Sequence, residues 1–496
     1  MAIKAGQIIH VGNGSVLVDR VQTGGPGQLN IPTEKIYELG NYKSVGTIRD
    51  VPDLSFALES FDVSTEVETI LAGAYTGRSV SDAVTTNSSA TVTSATAAFT
   101  SADVGRGIII TAKGTGTVNG VTRDYYGTIA AVGSATSITV SPALGASGGG
   151  SGVTIKIVPN GIDLATAVPV DIASQWKPGE SASSPFSIVN SVAMPFLYVE
   201  SMSYRFGYRD NSTQSATLRG DSIFYNPGPT VVQTAAGSGV AGQSIILTNG
   251  AYQSSEPDGR WALSVEVDNK RLTLGVDYTE TVGAPVAGVA PVTIVIPSSY
   301  GAIPATSTIR VMFTNNTALS YLQNVHPDTA TKPAAIRGKD IDVYIGTAPG
   351  VGLDVNDYPT AGTSFKMKGV QAVTIDWRAN IDKNEEFGNY YATGVDFDVP
   401  TVNGTIDFRP TDPADLMRII QRITGAPVEK AIGAGSSVLL PLDVVLKSPE
   451  TGMPVKRFNI PDARFTLPGY QGRVQQKVDV TTNFESETGL LKVYER

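Results

Sequence analysis

The chain has no cysteine, two histidines in 496 residues, and only 17% charged residues. Without cysteine there is no disulfide framework, no thiolate metal site and no cysteine nucleophile. His10 and His326 stand far apart, and neither has a second histidine nearby, so the usual zinc ligand sets are missing. No apolar run approaches the ~18 residues of a membrane span. The opening Met1-Ala2-Ile3-Lys4-Ala5 lacks the apolar core of a secretory signal. These absences lead us to expect a soluble intracellular product. Positive charge is also in deficit, with 37 Lys plus Arg against 46 Asp plus Glu and a net charge of −9. That balance disfavours a protein that grips nucleic acid by neutralising phosphates. It suits a surface past which nucleic acid slides.

Catalytic patterns are equally scarce. Gly145-Ala146-Ser147-Gly148-Gly149 has the G-x-S-x-G form, but it lies in a glycine-rich turn with no helix after it, unlike a nucleophile elbow. Gly237 to Gly242 spells G-x-G-x-x-G, yet Gln243 to Leu247 after it reads as strand where a dinucleotide site needs a helix. Asp382, Glu385 and Glu386 cluster beside a turn and read as a solvated loop. Asp354-Val355-Asn356-Asp357 lacks the spacing and glycine of a calcium loop. The expectation is therefore no enzyme activity, no catalytic residue, no cofactor and no metal.

Proline and glycine are abundant, 29 and 52 residues respectively, which points to a turn-dense, mainly β protein. The chain also repeats itself. Glu38-Leu39-Gly40-Asn41-Tyr42 returns as Glu386-Phe387-Gly388-Asn389-Tyr390, an offset of 348 residues (386 − 38). The offset holds through Gly46/Gly394 and Val51-Pro52/Val399-Pro400. Further matches keep the same order. Ile9 to Gly12 answers Val343 to Gly346, Val16 to Asp19 answers Val373 to Asp376, Val168 to Ile172 answers Leu440 to Val444, and Ser222 to Tyr225 answers Leu491 to Tyr494. One domain present twice, with inserted material, explains this order.

Local patterns fill in the two repeats. Leu54, Phe56 and Leu58 alternate with Asp53, Ser55 and Glu59, as in a half-buried strand. Val63, Val67, Ile70 and Leu71 have helical spacing, with Asp62 as a candidate cap and Gly73 beyond the end. Leu416, Ile419, Ile420 and Ile423 form the matching stripe after Asp412-Pro413. The expected domains are a first repeat at 1–75 and 159–230, an inserted β domain at 76–158, a second inserted Ig-like β domain at 231–316, a linker at 317–335, and a second repeat at 336–496. Both repeats are expected as β-sandwich or barrel domains with one flanking helix each.

The anchor residues, with Ile36-Tyr37, Asp53 to Phe56 and the helix ending at Gly73, resemble the N-terminal half of the major tail tube proteins of tailed bacteriophages. Asp407-Phe408-Arg409-Pro410-Thr411-Asp412-Pro413 and the final strands are similar to the same domain. The resemblance covers roughly 320 of the 496 residues, by the two repeats, and leaves both inserts unassigned. It implies a structural virion protein whose domains ring a hollow DNA conduit, six domains to a ring, with rings stacked into a tail. With the domain doubled, three chains make a pseudo-sixfold ring, and about four strands per domain give about 24 around the lumen. The implied partners are other copies of the chain, a tape measure protein, tail terminator, baseplate or tip proteins, a sheath where the tail has one, and DNA in transit. The implied place is the virion tail, assembled in the host cytoplasm. Candidate structural anchors are Glu38, Gly40, Asn41, Tyr42, Glu386, Gly388, Asn389 and Tyr390. Gly24, Gly25 and Gly27, in a Gly-Gly-Pro-Gly stretch read as an exposed loop, are candidate ring-to-ring contacts, with a counterpart near 379–385. The alternative is a tail-associated protein that binds host surface or carbohydrate through its two inserts.

Overall fold

A computed structural model of the chain describes residues 5–11, 16–17, 21–30, 33–36, 46–49, 52–71, 78–114, 117–118, 121–166, 169–178, 190–226, 230–254, 259–286, 288–315, 335–346, 364–384, 391–410, 421, 439–466, 469–471 and 479–496. The fold is mainly β. The first repeat holds β1 (Ala5–Val11), β2 (Val16–Leu17), β3 (Val21–Asn30), β4 (Thr33–Ile36), β5 (Gly46–Arg49) and β6 (Asp53–Phe61), then helix α1 (Glu66–Leu71). After an insert it resumes with β7 (Ile162–Asp163), β8 (Val170–Pro178), β9 (Asn190–Gly207), β10 (Thr213–Gly220) and β11 (Phe224–Asn226). The second repeat holds β12 (Ile341–Gly346), β13 (Ser364–Lys366), β14 (Val370–Asn384), β15 (Gly394–Phe408), β16 (Leu439–Lys447), β17 (Pro454–Phe465), β18 (Gly469–Gln471), β19 (Asp479–Ser486) and β20 (Lys492–Glu495).

Seven antiparallel pairings occur in both repeats. β1·β2, β1·β8, β8·β9, β9·β10, β9·β11, β6·β10 and β3·β6 are answered by β12·β13, β12·β16, β16·β17, β17·β19, β17·β20, β15·β19 and β14·β15. The 348-residue offset is a hairpin register. Ile36 pairs Gly46 as Asn384 pairs Gly394, and Asn30 pairs Asp53 as Arg378 pairs Thr401. Even the irregularity is shared, since a bulge follows Val21/Ser60 and Val370/Phe408 alike.

Three of the sequence matches are displaced. The match of Ser222 to Tyr225 with Leu491 to Tyr494 is out by one residue, since Tyr225 faces Val192 as Val493 faces Phe458. Val16-Leu17 pairs with β1, the place β13 takes in the second repeat. The counterpart of Val373 is Gly24, because Gly24 faces Leu58 as Val373 faces Ile406. Of the match of Val168 to Ile172 with Leu440 to Val444, the described Val170 to Ile172 lies on the strand equivalent to that of Leu440 to Val444, but two residues out of step. Val170 opposite Leu197 matches Leu440 opposite Ala463, each just before a bulge. A slip of two residues preserves the buried face, so apolar patterning does not detect it.

The helix also differs. Asp62 precedes the first helical residue, Glu66, by four positions and does not cap it. Val63, Val67 and Leu71 are buried with the face of β6 that carries Leu54, Phe56 and Leu58. The counterpart stripe Leu416 to Ile423 lies outside the described residues.

The repeats are not two separate sheets. They contribute to one 18-stranded sheet and one apolar core, in which Leu54, Phe56 and Tyr204 pack with Trp377, Val402 and Phe458. Between Arg78 and Val158, six strands close a small barrel with its own core. Residues 230–314 form four- and three-stranded sheets around a further core. Their hairpin tip Asp268-Asn269 takes positive φ at both residues, 47° and 66°, the geometry of a two-residue turn between twisted strands.

Candidate self-assembly interface

The two repeats meet edge to edge. The second half of β9 pairs antiparallel with β14, from Ser201 opposite Arg378 to Gly207 opposite Ala372. Strand edges expose unpaired N–H and C=O groups, and this seam aligns seven residues on each side, whose alternate members bond across it. Below the sheet, Tyr204 and Phe206 of β9 pack on Phe458 of β17, with ring centroids 4.6 and 5.5 Å apart. Above it, Asp53 receives Lys383 at 3.2 Å and Arg219 at 3.7 Å. β7 adds a second short contact by pairing with β20.

A buried lysine locks the seam. Lys456 extends from β17 of the second repeat into the first, where its Nζ lies 2.5 Å from Asp62 Oδ1 and 2.5 Å from Glu68 Oε1. It also donates to Ser64 O at 2.9 Å and Gln214 Oε1 at 3.2 Å, and sits over the rings of Phe458 and Tyr204. All three charged side chains are 0% exposed. One ammonium thus serves two carboxylates, which leaves Asp62 Oδ2 and Glu68 Oε2 without hydrogen-bond partners. Burial pushes the Asp62 carboxyl up to about 6, against the pull of Lys456 and with the neighbouring Glu68 adding to the rise. Lys456 is itself held above its ordinary value by the two carboxylates, which outweigh desolvation. The three charged side chains are thus closed off from solvent, and the chemistry of the arrangement is that of a latch. Sequence reading assigned Asp62 to helix capping and passed over Lys456, because 394 residues separate the pair.

The second insert is docked by one buried ion pair to the first repeat, and a second pair, internal to the insert, is set against β8. Arg271 donates to Asp221 Oδ1 at 2.9 Å and Ser222 Oγ at 3.2 Å, and its guanidinium stacks 4.5 Å from the Tyr391 ring. Asp221 Oδ2 in turn accepts the Ala392 N–H at 2.9 Å. One cluster therefore ties insert, first repeat and the β14–β15 hairpin of the second together. Arg310 pairs with Glu266, beside the fully buried Asp171 of β8. Burial, then the Glu266 charge, raises Asp171 to about 7 against the opposing Arg310. Asp171 also accepts the N–H of Phe196, whose φ of 57° is rare for a bulky residue. We expect Arg271→Ala to destabilise the chain by about 3–5 kcal/mol, since it strands a buried Asp221. Urea unfolding checks this, and a cost under 1 kcal/mol would contradict the docking role.

The seam uses one edge of each repeat, and among the described residues no further strand pairs with the matching edges. Among the described residues β3, the counterpart of β14, pairs with β6 alone. β18, which continues β17 and answers the seam half of β9, pairs with β19 alone. Gly24, Gly25 and Gly27 thus lie in a ten-residue strand, not in an exposed loop. Backbone pairing to β6 carries the chain through the Gly-Gly-Pro-Gly stretch, and proline is tolerated on an edge strand. Residues 379–384 similarly belong to β14. The anchor residues Glu38, Gly40, Asn41, Tyr42, Glu386, Gly388, Asn389 and Tyr390 lie outside the described residues. Their flanks are equivalent, the first set between the ends of β4 and β5, the second between those of β14 and β15. His10 belongs to β1, and His326 is outside the described residues. No cluster of potential metal ligands occurs among the described residues.

No protein-family model matches the sequence. No curated protein matches it either. Solved structures similar to the chain include the cryo-EM structure of the anti-feeding prophage baseplate, six-fold symmetrised. The match has 9% identity and a TM-score of 0.21, and covers 31% of this chain and 91% of that one. A likeness at that score carries no argument about this chain.

Proposed function

We propose that the chain is a structural subunit of a phage-type tail tube, in which three copies close into a pseudo-sixfold ring and stacked rings form a conduit for DNA. One observation carries this reading. The chain contains the same domain twice, joined head to tail through different surfaces of each, and among the described residues the corresponding strands at its two ends pair on one side alone. Head-to-tail contacts propagate until they close a ring or run into a filament. Closure would pair these two edges, which on a free monomer invite aggregation. A net charge of −9 suits a lumen that does not retain DNA. Tape measure, terminator and baseplate proteins are the partners this role requires, with the virion tail as its place.

Host-surface or carbohydrate binding through the inserts has less to support it. Tyr125 and Tyr126 are buried, the latter against the second repeat through Pro454 O, so they offer no stacking platform. Electron microscopy of the purified protein tests the tube reading. Stacked hollow rings of three chains are expected, six chains per ring would reject the doubled-domain arrangement, and a protein that stays monomeric at high concentration would reject the tube.

A further inference from the structure

The internal seam is a template for the contact between chains, and its register transfers residue by residue. β10 and β19 run parallel in numbering at an offset of 266 (479 − 213), and the strands they pair keep it. Arg205 faces Thr213 as Gln471 faces Asp479, and Tyr204 faces Gln214 as Tyr470 faces Val480. On the opposing edge Thr374 faces Thr405 as Gly25 faces Ala57, at the hairpin offset of 348 (405 − 57). Within the chain, Arg205 lies opposite Thr374 and Tyr204 opposite Ile375.

We propose that β18 of one chain pairs antiparallel with β3 of the next, with Gln471 opposite Gly25 and Tyr470 opposite Pro26. This rests on the tube reading for its closed geometry, and it names the partner edge: a second copy of this chain, bound through β3 at Gly25 and Pro26. The glycines then have a physical role. A Cβ built on Gly25 meets nothing within 4 Å, so the sheet face beside the edge is uncovered at this position. A bare edge of glycine and proline also resists pairing with unrelated strands before the correct copy arrives.

The two seams differ in one respect. The counterpart of Lys456 at the 266-residue offset is Asn190, so the contact between chains lacks the lysine that locks the contact within one. Assemblies should therefore come apart into whole chains and leave the repeats joined.

The absence of native cysteine makes cross-linking a clean test. Directly opposed residues in an antiparallel pair have Cα atoms about 4.5–5.5 Å apart, within disulfide reach, whereas a two-residue shift puts them at about 7–8 Å. The double variant Gln471→Cys/Gly25→Cys, assembled and oxidised, should give a ladder on non-reducing gels that ends at a covalent trimer and collapses to monomer with reductant. The shifted control Gln471→Cys/Thr23→Cys should cross-link at least tenfold less. Hollow rings by microscopy without a cross-link would overturn the register while the tube reading stands. Cross-linked open chains without rings would support the pairing and reject the tube. Failure of both rings and cross-links in folded protein, checked by circular dichroism, would overturn the two together.

Discussion

Lys456→Met should lower the stability of the chain by about 3–5 kcal/mol, because it leaves Asp62 and Glu68 buried without their cation. The loss should depend on pH in a defined direction. The folded-state carboxyl of Asp62 titrates near 6, above its ordinary value of 3.8. A raised carboxyl contributes stability that is present below the unfolded value and is lost as pH rises through the folded one. Removing the lysine removes the main influence holding Asp62 down, so the variant's deficit should be largest near pH 8 and shrink toward pH 5. Urea midpoints for wild type and variant across that range provide the measurement. Asp62→Asn and Glu68→Gln placed on Lys456→Met should recover much of the deficit, as neutral side chains cost less to bury unpaired. A deficit that grew on acidification, or no recovery in the triple variant, would contradict the latch.

Trp377→Ala should cost a comparable amount, about 3–5 kcal/mol, through the cavity it opens in the shared core. Trp377 lies on β14 opposite Met202 in the seam, 1% exposed, and packs in the core formed by both repeats. Its indole Nε1 has no hydrogen-bond partner, so the ring's contribution is packing alone. Trp377→Phe should accordingly cost less than half as much as the alanine change. The contrast distinguishes a packing role from a polar one, and denaturant unfolding with an unchanged slope reads it directly. Equal losses in the two variants would show that the indole N–H matters after all.

Much of the fold was legible before any coordinates. The spacing of Glu38 to Tyr42 and Glu386 to Tyr390 expresses a hairpin register, and a hairpin fixes the separation of its own residues locally. Alternation in Leu54, Phe56 and Leu58 reflects a strand with one face in the core, so composition alone reveals it. Register beyond the hairpin was less visible. Val168 to Ile172 looks like the counterpart of Leu440 to Val444 because apolar strands tolerate two-residue slips without changing face. Val16-Leu17, by contrast, resembles Val373 to Asp376 in residue type alone. The Gly-Gly-Pro-Gly stretch reads as a loop from its residues, yet β6 alongside holds it as strand. Asp62 likewise has the chemistry of a helix cap, but a lysine from 394 residues away claims it.

The division follows from the range of the forces involved. Composition, turn residues and strand alternation act over a few positions, and they made a mainly β chain with an internal doubling readable from the sequence by itself. Which edges meet, where the charged side chains are buried together, and how the inserts dock depend on groups hundreds of residues apart. Only the folded chain brings Lys456 to Asp62, Arg271 to Asp221 and β9 to β14. Tertiary structure alone also decided which edges were left over, because an edge is free only once every other strand has found its neighbour.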